Sequence, residues 1–199
     1  MPHVSLATKW SADRPAFGGW VTGDSEGTIA MFGRLGYDYV GIDTQHSPLN
    51  ESQAAVLVRR LVDAPFAVLV RVSKNDTALI GRLLDSGADG IIVSTHGGRQ
   101  LDRAAAPLEV LAPIVDAVGD RANVLLDTGI MHGGDVVAAL ALGARACLVG
   151  RAFLYGLMAG GERGVDRAIS ILSDEITRTL QLLGVSGVQD LNRSHVSLR

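Results

Sequence analysis

The chain has 199 residues, 47% hydrophobic and 20% charged, with a formal net charge of -3 and a pI near 5.9. That is long enough for one sizeable core and short for two, so one domain is expected; scattered arginines exclude a nucleic-acid footprint and favour a small-molecule partner. The single cysteine, Cys147, excludes a disulfide framework, and no run approaches about 18 apolar residues, so no signal peptide or membrane span is expected and a reducing cytoplasm is the expected home.

Residues 4–15 read as a short helix ending before Pro15, and Phe17-Gly-Gly-Trp-Val-Thr22 reads as the first strand. Ser25 and Glu26 open a helix carrying Ile29, Met31, Phe32 and Leu35, stopped by Gly36. Tyr39-Val-Gly-Ile42 is the second strand, and its end carries Asp43-Thr-Gln-His46. Asn50 or Ser52 caps a helix through Ala54, Leu57, Val58 and Leu61; Phe66–Val72 follows as the third strand, with Arg71 at its carboxyl end. Asn75 or Asp76 opens the next helix, with Leu79, Ile80, Leu83 and Leu84 on one face and Gly87 as its terminator.

Ile91-Ile92-Val93 suits a strand buried on both faces, and His96-Gly-Gly-Arg99 is a polar, glycine-rich loop directly after it. In parallel α/β folds such loops hold the ligand, so His96 and Arg99 are expected to face a site; the alternative is a solvated loop. Leu108, Val110, Leu111, Ile114 and Val115 form a helical face, followed by a fifth strand at Asn123–Leu126 that ends in Asp127-Thr-Gly129. A helix at 134–142 leads to a sixth strand, Cys147–Val149, and then Gly150-Arg151. The rest is helical, first at 152–158 and, after a break at Gly160-Gly161, from 163 to 183 with Ile169, Leu172, Ile176 and Leu180 on one face. Leu157 and Met158 read as ordinary core, Cys147 as a packed, inert thiol, and His132 as a loop histidine.

The unit helix, glycine, apolar strand, polar loop recurs at Gly36, Gly87 and Gly143, which means a parallel α/β sheet with right-handed crossovers. A complete eight-stranded barrel takes about 250 residues. About six strands are readable here, so the expected architecture is a TIM-barrel-derived β/α repeat, truncated or hybrid, whose open edges invite a further copy of the chain.

Arg14-Pro-Ala-Phe-Gly-Gly-Trp20, Gly36-Tyr-Asp-Tyr-Val-Gly-Ile-Asp-Thr-Gln-His46, Val70-Arg-Val72 and Leu84-Asp-Ser-Gly-Ala-Asp-Gly90 resemble the HpcH/HpaI family of metal-dependent pyruvate aldolases. That resemblance covers residues 1–93 and implies His46 as base with Asp43, Arg71 as carboxylate clamp, and a divalent ion such as Mg or Mn whose ligands have no matching motif in this chain; the alternative for Arg71 is a structural pair with Asp43. From residue 88 onward the chain is similar to FMN-dependent α-hydroxy acid oxidases and dehydrogenases of the lactate and glycolate type. The stretches are Ser94-Thr-His-Gly-Gly-Arg-Gln-Leu-Asp102, Leu126-Asp-Thr-Gly-Ile-Met-His-Gly-Gly-Asp-Val136 and Val149-Gly-Arg-Ala-Phe-Leu-Tyr-Gly-Leu-Met-Ala-Gly-Gly161. This second resemblance implies His96 as active-site base and Arg99 as carboxylate clamp. It also implies Asp127, Gly129, Gly150 and Arg151 as FMN-binding residues, the last three at the phosphate. Thr95 stands where that family usually has asparagine, and Met131 where many members have an arginine. The expectation is one domain over 1–199 with an aldolase-like half at 1–93 and an FMN-dehydrogenase-like half at 88–199. Its partner would be a small hydroxy or keto acid, and its chemistry FMN-dependent oxidation, metal-dependent lyase chemistry, or none.

Overall fold

A computed structural model describes residues 6–11, 16–73, 76–99 and 101–197. Expectations placed on Arg14, Pro15, Asn75 and Gln100 lie outside the described residues. The chain divides into two compact units, Met1–Ile92 with Asp120–Asn123, and Val93–Gly119 with Val124–Arg199. The division falls within the strand where the two sequence patterns meet.

The first unit contains α1 (Leu6–Ser11), β1 (Gly18–Val21), α2 (Glu26–Arg34), β2 (Tyr39–Asp43), α3 (Glu51–Arg60), β3 (Ala67–Arg71) and α4 (Thr77–Asp85), and leads into β4 (Gly90–Val93). Its strands pair in parallel in chain order, with Trp20 opposite Gly41, Asp43 opposite Arg71 and Val70 opposite Ile91. The helices start where side chains satisfy the free amides of the first turn. Ser25 accepts from Thr28, Asn50 and Gln53 form a reciprocal capping box, and Asp76 accepts from Leu79. The cap of α3 is therefore Asn50, the first of the two candidates, and Ser52 lies inside the helix. Gly36 and Gly87 end the α2 and α4 segments at φ of +75° and +102°, backbone that a β-carbon disfavours. Val40, Ile42, Leu57, Val58, Phe66, Val68, Val70, Leu79 and Leu83 are buried in one apolar cluster. Strands β2 and β3 are buried along almost their whole length, as apolar runs covered on both faces are.

The second unit contains α5 (Pro107–Val118), β5 (Asn123–Leu126, whose first residue belongs to the first unit), α6 (Gly133–Ala141), β6 (Ala146–Cys147) and α7 (Arg151–Leu183). Strands β5 and β6 pair in parallel, with Leu126 opposite Cys147. Strand β6 starts one residue and ends two residues before the apolar run 147–149 predicts, because Leu148 N donates to Leu126 O and the chain then leaves the ladder. Asp135 receives the Met131 and His132 amides at 2.9 and 2.8 Å and so starts α6. Helix α7 loses helical geometry at Gly160 and Gly161, the expected break, and its two limbs approach so closely that Gly156 and Gly164 leave no room for a β-carbon. Three expectations are corrected here. Leu157 is 45% and Met158 82% exposed, and Ile169 leaves the half-buried face of Leu172, Ile176 and Leu180, because nothing among the described residues packs over that side of α7. The polar tail carries two short 3-10 turns, Val188–Asp190 and Arg193–His195, pinned by the Arg193–Asp116 ion pair.

Candidate functional site

Each unit carries a group of polar residues at the carboxyl ends of its strands, where a parallel α/β fold offers its loops to a ligand. In the first unit the register places Asp43 directly beside Arg71. Arg71 Nε donates to Asp43 Oδ1 at 2.9 Å and Nη2 to Oδ2 at 2.5 Å. Asp43 Oδ1 also accepts the Gln45 and His46 amides, so both carboxylate oxygens are engaged. The Asp43 side chain is 1% exposed and that of Arg71 13%. Burial pushes the Asp43 carboxyl up. The Arg71 bonds, the two amides and the guanidinium charge outweigh burial and hold it below the usual carboxylate range.

Gly41 has no β-carbon, and the Trp20 indole occupies that space; the Arg71 guanidinium lies 5.1 Å from its ring centroid. His46 Nδ1 is 2.7 Å from Arg71 Nη2. A guanidinium can only donate, so Nδ1 accepts and the imidazole proton sits on Nε2. The three residues expected to act together are thus assembled, with Arg71 locked to Asp43. A shallow cleft of about 400 Å³ in this unit is lined by Thr44, Leu49, Asn50, Glu51, Ser52 and Ser73, and contains none of the three. Among the described residues no group of three or more His, Cys, Asp and Glu gathers as a metal would require.

In the second unit, His96 and Arg99 follow β4 in a single 3-10 turn, with His96 half-buried and Arg99 exposed. His96, Gly97 and Gly98 all have positive φ, at 53°, 69° and 76°. Asp127, directly after β5, donates its amide to Val93 O at 2.8 Å, which sets its side chain next to the loop. Ser94 Oγ donates to Asp127 Oδ2 at 2.5 Å and accepts the His96 amide at 3.0 Å. The Gly97 amide reaches Thr128 Oγ1 at 3.2 Å. Ser94 and Thr128 were not singled out in the sequence; short hydroxyl residues beside a strand end read as turn formers, and only the fold shows what they bind.

Gly129 has φ +86° and Gly150 precedes α7; both residues are exposed, and a β-carbon on either would meet nothing within 4 Å. The α7 start has no side-chain cap, which leaves its first amides available. Arg151 is exposed, and its Nη2 lies 3.3 Å from where a Gly97 β-carbon would stand. No hydrogen bond or ion pair holds the Arg99 or Arg151 guanidinium among the described residues. Cys147 behaves as expected of an inert thiol: burial, then the Asp135 charge, pushes it up to about 12.

Two family models match overlapping parts of the chain. The family model for HpcH/HpaI aldolase/citrate lyase matches residues 16–96, and that for FMN-dependent dehydrogenase matches residues 58–198. The second match starts well upstream of residue 88, where the sequence motifs begin. A putative L-lactate dehydrogenase of Mycobacterium tuberculosis is 55% identical over 115 residues, covering 58% of this chain and 28% of that protein. An L-lactate oxidase of Nostoc is 47% identical over 131 residues, covering 66% of this chain and 35% of that protein. The chain therefore spans about a third of the length of these curated relatives. Among solved structures, a soluble mutant of the membrane-associated (S)-mandelate dehydrogenase from Pseudomonas putida matches 99% of this chain and 69% of its own, with a TM-score of 0.81 and 27% identity. The expected α/β architecture, a β/α repeat of parallel strands derived from the TIM barrel, is the fold of this neighbour. With well over half of its residues matched, 58–198, the chain belongs to the FMN-dependent dehydrogenase family.

Proposed function

We propose that the chain takes part in FMN-dependent oxidation of a small 2-hydroxy acid, with the second unit supplying the base, the carboxylate clamp and the phosphate site. The observation that carries this reading is the His96–Arg99 turn at the end of β4, beside Arg151, within the stretch matched by the FMN-dependent dehydrogenase family. The residues fit a phosphate group. Gly129 and Gly150 border open space, the α7 amides are uncapped, and Arg151 offers a guanidinium with no protein partner among the described residues. Asp127 serves this site through its bond to Ser94, because a carboxylate does not face a phosphate directly.

When bound, FMN supplies the acceptor for the two electrons that leave the hydroxy acid as it becomes a 2-oxo acid. Arg99 holds the substrate carboxylate in a two-point grip, His96 takes a proton from the substrate, and Ser94 fixes the His96 amide so that the imidazole keeps its direction. The relatives' names, L-lactate and (S)-mandelate, support a short hydroxy acid as substrate. The test is turnover of L-lactate by FMN-loaded protein with an artificial electron acceptor. Activity that His96→Ala leaves unchanged would refute the assignment.

A second reading rests on the match over 16–96 and the assembled Asp43, His46 and Arg71: a pyruvate-aldolase type lyase. Asp43, with both oxygens already bonded, does not fit a divalent metal, so no metal-assisted step is derived. Enolisation of pyruvate with added Mg or Mn would favour it, and neither activity would leave a folded scaffold with a phosphate site. The two overlapping family matches support a single chain built from an aldolase-like part at 1–93 and an FMN-dehydrogenase-like part at 88–199, organised as one β/α domain. The exposed apolar residues Phe153, Tyr155, Leu157 and Met158 on α7 support a homo-oligomer. Among the described residues no helix is long and apolar enough to cross a membrane, and a cytoplasmic site of action is proposed on the single, unpaired cysteine.

A further inference from the structure

We propose that Thr128 is a positioning residue for His96, an inference that rests on the reading above only for the chemical role of the imidazole. Thr128 has φ +85°, a conformation that a β-branched side chain disfavours and glycine adopts freely. Its hydroxyl gives a reason for threonine there. The Asp127 carboxylate can only accept hydrogen bonds. Ser94 Oγ lies 2.5 Å from Asp127 Oδ2 and gives it its proton; Thr128 Oγ1 lies 3.4 Å from the same oxygen and 3.3 Å from Ser94 Oγ, and its proton goes to one of these two. The lone pairs are thereby turned to the backbone. Ser94 Oγ takes the His96 amide at 3.0 Å, and Thr128 Oγ1 takes the Gly97 amide at 3.2 Å.

Those two amides lie on either side of the His96 Cα, one before it and one after. Holding both fixes the two backbone torsions of His96, whose φ of +53° is itself unfavourable for a residue with a β-carbon. The direction in which the imidazole leaves the chain follows from those torsions. Gly97, the residue held by Thr128, also lies beside the Arg151 guanidinium, whose Nη2 is 3.3 Å from where a Gly97 β-carbon would stand.

The experiment compares Thr128→Val, which keeps the branched shape and loses the hydroxyl, with Thr128→Ser, which keeps the hydroxyl, and Thr128→Gly, which removes hydroxyl and strain together. Amide hydrogen exchange at Gly97 is read in protein free of flavin and substrate, alongside thermal melting. The expected result is exchange at Gly97 about fivefold faster in the valine and glycine variants, the equilibrium worth of one ordinary hydrogen bond, with recovery in the serine variant. In FMN-loaded protein the valine variant lowers kcat for L-lactate while KM, set by Arg99, holds, and serine restores kcat. Faster Gly97 exchange in the valine and glycine variants, with a wild-type protein that oxidises nothing, refutes the proposed function and supports the clamp. Unchanged Gly97 exchange in a folded glycine or valine variant, or a serine variant that behaves like valine, overturns it.

Discussion

Arg71→Leu strips the Asp43 carboxylate, 1% exposed in the wild-type protein, of its two-point partner, and leaves it the Gln45 and His46 amides on Oδ1 and the His46 imidazole 3.8 Å from Oδ2. Removing one partner of a buried ion pair costs about 3–5 kcal/mol, because the remaining charge is stranded in a poorly solvating site. For a chain of this size that is a fall in Tm of about 6–20 °C. The acid side gives a second signature. The folded-state pKa of Asp43 is depressed, so its contribution is complete above the unfolded value and is lost as pH falls through the folded one. In the variant only the two amides still oppose burial, so the carboxyl rises relative to wild type and the stability gap to wild type narrows as pH drops below about 4. Asp43→Leu combined with Arg71→Leu removes both charges and recovers most of the loss. Urea unfolding followed by circular dichroism at neutral and acid pH measures all three proteins. A loss below about 1 kcal/mol for Arg71→Leu, with no narrowing in acid, would mean that the pair is open to solvent and the site is not locked as described.

The close contact of α6 with α7 predicts that Gly133→Ala, whose β-carbon would lie 2.4 Å from Ile176 N, destabilises the protein by about 1–3 kcal/mol in the same urea assay. Gly41→Ala puts a β-carbon 2.3 Å from a Trp20 ring carbon, and the displaced indole loses its place under Arg71, read as a shift in tryptophan emission. Cys147, pushed up to about 12, stays unreactive to iodoacetamide at mildly alkaline pH until denaturant is added; rapid labelling of the folded protein would contradict its burial. Arg151→Met weakens FMN binding by about ten- to a hundredfold, the worth of a charge-assisted hydrogen bond, in a fluorescence titration.

The helix ends were legible because their chemistry is local. Asn50 and Gln53 sit at capping-box spacing, and Gly36, Gly87 and Gly143 each adopt the positive φ that a helix terminator needs. Strand order follows from the repeat itself, and Arg71 and Asp43 were legible as strand-end residues. A structural pair between them was open as an alternative, but its two-point geometry was not legible, since it depends on the register of β2 against β3, which a separation of 28 residues does not specify. Thr128 ran against its own propensity: a β-branched residue at φ +85° is stable only when its surroundings hold it, and Ser94 and Asp127 come from different strand ends. Leu157 and Met158 show a different gap, because apolarity marks a residue that seeks cover without saying whether this chain provides it.

The most direct test of the central claim is an absorbance spectrum of the protein after incubation with FMN and desalting. Retention requires the exposed Gly129 and Gly150, the uncapped start of α7 and the Arg151 cation to hold the phosphate together. The expected result is a retained flavin band at about 450 nm that is reduced in Arg151→Met. A colourless protein after desalting, at FMN concentrations that saturate a full-length family member, would contradict it.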